Sequence, residues 1–194
     1  NAPTGAPNTP VDIPPGGHQT FVISITPSTA FPATDVQFFF AGANTFGIPP
    51  LKGINTLLVT SSNTPVADII ALAATATPGL TAVIPGTGGS VAFAVATANV
   101  GVGRPVTVTA DKGNLPVAVF VCRTDATGAC VGGGPASSVT VTIGAGETLT
   151  FSFFVQGQGF VPFDPATNRI FIRFIDAVTG ATVGSTSVAI RTGP

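Results

Sequence analysis

Tryptophan, tyrosine and methionine are missing from all 194 residues, and histidine and glutamate occur once each, as His18 and Glu147. These absences remove most of the side chains from which acid–base pairs and metal sites are built. Without Trp or Tyr the chain also lacks the amphipathic ring platforms that sugar-binding modules present. Charge is scarce: 8% of residues are charged, the net charge is −1, and the five Arg and two Lys are spread along the sequence. No basic run exists to meet nucleic acid or anionic lipid. Apolar stretches such as 67–99 are interrupted by Pro78, Gly79, Pro85 and Gly86, so none reads as a spanning helix of about 20 residues. The expectation is a non-enzymatic chain with no cofactor, no metal, no nucleic-acid partner and no membrane insertion.

What is present builds β-structure. Glycine (24), proline (18), fifteen Phe and a 44% hydrophobic content supply turns and strand-forming side chains. Residues 1–18 hold a Pro/Gly-rich tether that can neither enter a sheet interior nor form a helix. From Gln19 onward about thirteen strand-like runs, among them 21–26, 56–61, 80–84, 91–98 and 170–175, alternate with turn clusters, the rhythm of a sandwich. Only Asp68–Thr75 also admits a helical reading, of one or two turns. The chain starts at Asn1 with no initiator Met or apolar leader, which reads either as a processed secreted product or as a fragment.

Cys122 and Cys130 flank the turn-forming segment Asp125–Gly128 and are expected to staple a hairpin, contributing about 2–3 kcal/mol and implying an oxidising, extracellular or cell-surface location. A zinc half-site is the rival reading, lacking further ligands. His18 lies in the tether and Glu147 in a Gly-rich turn. Asp164 and Asn168 offer two oxygen ligands to a calcium ion or, more simply, an Asx turn. The glycine runs 86–89 and 132–134 lack the Lys and helix of a phosphate loop and read as turns. Several Ser and Thr beside Pro are candidate acceptors of O-linked glycan.

An internal repeat is visible. Ile84-Pro-Gly-Thr-Gly-Gly-Ser-Val-Ala-Phe-Ala-Val lies beside Ile143-Gly-Ala-Gly-Glu-Thr-Leu-Thr-Phe-Ser-Phe, Arg104–Asp111 beside Arg169–Asp176, and Val121–Thr124 beside Ala189–Thr192. From these pieces and Phe163-Asp-Pro-Ala-Thr-Asn-Arg169-Ile-Phe-Ile-Arg-Phe, the span Gln19–Thr192 resembles the bacterial extracellular immunoglobulin-like (Big-type) repeat domains of surface proteins, adhesins and filaments. The resemblance implies an all-β chain of two immunoglobulin-like antiparallel sandwich modules in tandem, residues 19–102 and 103–194. It also implies a role as spacer or assembly unit without a catalytic centre.

Several strands are apolar on both faces. Phe39, Phe154 and Phe171 each oppose a run of inward apolar residues, and a second apolar face must be covered by another domain or another subunit. Phe21, Ile23 and Ile25 alternate directly after the tether, the layout of a strand that is either the first of its own domain or is donated to a neighbour. The expected function is therefore a self-assembling structural subunit of a filament or surface layer. The alternative is a spacer or adhesin module that binds through loops such as 160–168.

Overall fold

The computed structural model describes residues 3–77 and 81–194. Among these described residues fourteen strands and no helix form: β1 (Phe31–Gln37), β2 (Phe40–Gly42), β3 (Thr45–Ile48), β4 (Thr56–Ser61), β5 (Ile69–Ala74), β6 (Thr81–Pro85), β7 (Ser90–Asn99), β8 (Arg104–Asp111), β9 (Val117–Thr124), β10 (Cys130–Ala136), β11 (Ser138–Ile143), β12 (Thr148–Gly157), β13 (Arg169–Asp176) and β14 (Thr182–Gly193). The ambiguous Asp68–Thr75 segment is a strand. Residues 21–26, expected to be strand-like, are extended chain outside any sheet. Leu80, at the start of one expected run, lies outside the described residues.

Two five-stranded sheets, ordered β10-β9-β12-β7-β5 and β11-β8-β13-β14-β6, pack face to face; two small two-stranded sheets, β1-β4 and β2-β3, precede them in the chain. All large-sheet pairings are antiparallel except β14 with β6. Alternation decides which side chains go inward. Phe93, Val95, Phe151, Phe153 and Val155 point from one sheet, and Val106, Val108, Ile170, Ile172 and Phe174 from the other, into one contiguous core. Phe93 stacks on Phe153 at 5.2 Å between centroids, and Phe151 meets Phe174 edge-on at 6.0 Å.

The tandem arrangement is not what the described residues form. They make one sandwich, whose sheets both take strands from either side of 101–103; that expected break is the turn from β7 to β8, tied back by Val100 and Val102 N–H donating to the Asp68 and Val66 carbonyls. The repeat nevertheless has a structural counterpart. Its equivalent strands lie side by side, β7 against β12 in one sheet and β8 against β13 in the other. Each copy alone would leave its apolar face open, and pairing the copies closes both faces onto a shared core. The likeness stops at the third strand, since β9 sits beside β12 whereas β14 sits beside β13.

Candidate functional site

Each large sheet turns its outer face differently. On the β5-β7-β12-β9 face, Leu72 registers with Ala96 and Ala74 with Ala94, while Ala92, Phe154 and Phe120 form one cross-strand row. No Asp, Glu or Lys occurs in these four strands, and their one Arg, Arg123, falls in phase with the inward Val119 and Val121 and registers with the buried Phe151. This face is uncharged and mostly small, with Ile70, Leu72 and Phe120 exposed and Phe154 half-buried.

Phe171, expected together with Phe154 to serve assembly, lies on the opposite sheet. There the chain itself covers it: the Lys52–Gly53 turn rests on β13 and β14, the Gly53 carbonyl accepts a 3.0 Å bond from the Ser187 hydroxyl, and a side chain at Gly53 would run into Phe171. Asn55 holds this turn in place. Its Oδ1 accepts from the Leu51 N–H at 2.5 Å and its Nδ2 donates to the Phe38 and Pro49 carbonyls. Phe39 stands 72% exposed beside β2, and Phe46 in β3 is 98% exposed.

Phe21, Ile23 and Ile25 are all exposed, and among the described residues no backbone hydrogen bond is made by 21–26. Ile23 and Ile25 nevertheless line a cleft of about 520 Å³ together with β4 (Leu57–Thr60), β5 (Ile69–Leu72) and the start of β14 (Thr182–Ser185). Two strand edges border it. β5 pairs with β7 alone, and β14 has β13 on one side while its β6 partner begins only at Ala189. Gly184 lets β14 come up against the Ile69 backbone, where any side chain would collide. Ile70, Leu72 and Leu57 are cleft residues that alternation within single strands did not single out, because the cleft exists only where three separate strands meet.

Cys122 and Cys130 form a disulfide with Cα atoms 5.6 Å apart, closing the β9–β10 hairpin; the bond fits an oxidising compartment. Asp125 shapes the turn, its Oδ1 accepting from the N–H groups of Thr127 and Ala129 and from the Thr127 hydroxyl. Asp164 makes the Asx turn, accepting from the Ala166 and Thr167 N–H groups, while the Asn168 amide donates to the Pro162 carbonyl. Glu147 accepts from the Gly144 N–H within its hairpin turn at 2.5 Å, and His18 is exposed in the tether. Among the described residues no three of His, Cys, Asp and Glu gather closely enough to hold a metal ion, and no helix is long and apolar enough to cross a membrane.

No family model and no curated protein sequence matches the chain. Among solved structures, a Pseudomonas fluorescens alkylpurine DNA glycosylase, AlkC, bound to DNA containing an abasic site analog, is similar over 65% of this chain at 12% identity with a TM-score of 0.32. The match spans 31% of that protein's length. A likeness of this size carries nothing about fold or activity to the present chain.

Proposed function

We propose that the chain is a non-enzymatic, secreted structural subunit that polymerises by donating residues 21–26 to the cleft of a second copy. The observation that carries this reading is the pairing of an unpartnered apolar strand with an open strand edge in one molecule. Among the described residues Phe21, Ile23 and Ile25 have strand alternation but no sheet, and β5 has an edge but no outer partner. A six-residue strand added along β5 would satisfy backbone groups on both chains. It would bury three large side chains, each contributing about 1.5–3 kcal/mol. The Pro-rich tether before it has no competing sheet to join. The uncharged Ala/Thr/Phe face beside β5 supplies a second contact between subunits, for which a low surface charge is an advantage rather than a liability.

Removing residues 1–26 tests the reading. The truncated chain is expected to keep the β-sandwich circular dichroism signature and to remain monomeric by light scattering under conditions in which the full chain forms polymers. Polymers of unchanged length from the truncated chain would exclude donation.

A further inference from the structure

Four of the seven cationic side chains, spread along the sequence, converge in space. Lys52, Lys112, Arg169 and Arg173 line a cavity of about 480 Å³ between the β8–β9 turn (Lys112–Pro116), the loop at 160–168 and the outer face of β13. That volume lies within the range of small-ligand sites. Two of the four are neutralised locally: Lys52 by Asp35 at 2.8 Å and Arg173 by Asp111 at 2.9 Å.

Among the described residues the other two have no carboxylate within 4.0 Å, and Asp111, which also lines the cavity, is paired with Arg173. Lys112 Nζ donates to the Leu115 carbonyl at 2.9 Å. Arg169 is only 6% exposed, and its guanidinium donates to the Ser187 hydroxyl and carbonyl and to the Pro165 carbonyl. These neutral acceptors satisfy N–H groups without cancelling a charge that is costly to bury. The internal repeat explains how the deficit arises. Antiparallel pairing of β8 with β13 registers Asp176 with Val106, which brings Arg104 two residues away within 4.0 Å of it, whereas Asp111, registered with Phe171 two residues from Arg169, is taken by Arg173. At the cavity wall Phe160 is 67% exposed, an apolar surface suited to the face of a ring.

We propose that this cavity binds a small oxyanion, a carboxylate or a phosphate monoester, carried on a compact ring of sugar size. Lys112 and Arg169 supply the unbalanced positive charge, and Asn114 and Phe160 contact the body of the ligand. The site is separate from the strand cleft, so its occupation does not depend on polymerisation.

The test is titration of the full chain with galacturonate and with glucose 6-phosphate, with glucose as the uncharged control at equal ionic strength, read by nitrogen-15 NMR. Saturable shifts at 112–116 and 167–173 with either anion, absent with glucose, are expected; the tighter of the two assigns the charged group. Lys112→Ala, which removes one partly buried hydrogen bond and no residue of the core cluster, is expected to weaken binding about tenfold. If neither anion gives saturable shifts, or Lys112→Ala binds as the parent does, the proposal fails. Arg169 would then be a cross-strand clamp only, a role that loss of stability in Arg169→Gln would report by itself.

Discussion

The side-chain amide of Asn99 donates to the carbonyl of Ile143 at 2.9 Å across 44 residues of sequence. The same fully buried side chain donates to the Val102 carbonyl and accepts from the Asp68 and Gly101 N–H groups. One residue thus joins the end of β7, the entry to β5 and the end of β11, so Asn99→Leu leaves several backbone groups without partners. A loss of about 3–5 kcal/mol is expected, measured as a fall in urea midpoint; a loss below about 1 kcal/mol would mean that water replaces the amide.

Replacing Cys122 and Cys130 together by Ala is expected to lower unfolding stability by about 2–3 kcal/mol while leaving the sandwich folded. The hairpin keeps its Asp125 turn, and neither sulfur belongs to the cluster that fills the core. Loss of the far-ultraviolet β signature in the double variant would show instead that the disulfide is required for folding.

Acid is expected to destabilise the chain. The hydrogen bond from Arg173 holds the Asp111 carboxyl below the ordinary carboxylate range. Burial opposes the same shift at Asp176, but the N–H groups of Thr179 and Val178 and the charge of Arg104 prevail and hold it low too. A group depressed in the folded state stabilises above its unfolded pKa of about 3.9 and loses that contribution as pH falls through the folded value. Desolvation raises the Asp68 carboxyl and works in the opposite sense. Urea midpoints are expected to be flat from pH 7 to about pH 5 and to fall below about pH 4, with a shallower fall in Asp176→Asn.

A substitution at Phe154 is expected to separate the proposed assembly from folding. It is half-buried on the uncharged outer face, in register with Ala92 and Phe120. Phe154→Arg is expected to shift the thermal midpoint by only a few degrees, as suits a surface substitution, while shortening polymers in electron micrographs. Polymers of parental length would remove this face from the assembly contact. Phe171→Arg is expected to act differently, lowering stability, because the Lys52–Gly53 turn already covers that ring.

Much of the sandwich was legible because period-two alternation and turn residues are local signals. The runs at 56–61, 91–98 and 170–175 became β4, β7 and β13 with little adjustment, and the cysteine spacing correctly identified the stapled hairpin. The number of sandwiches was not legible, since a repeat shows that two segments are alike and is silent on whether each closes its own core. Pairing of β7 with β12 and β8 with β13 answers that through contacts 50 or more residues apart. The cleft and the cationic cavity were hidden for the same reason. Ile23 and Ile70, or Lys112 and Arg169, become neighbours only after the sheets have formed. Asn99 carried no local signal, being one polar residue at the end of an alternating strand.

Disulfide trapping with Ile23→Cys and Ile70→Cys in one chain tests strand donation most directly. Both positions are exposed and border the cleft, and the native cysteines are already paired. Under mild oxidation the doubly substituted chain is expected to give a ladder of covalent multimers on non-reducing gels, and mixing the two single variants is expected to give a heterodimer. Monomers in which the two introduced thiols are linked within one chain, with no heterodimer from the mixture, would mean that the segment closes its own cleft and would contradict the account.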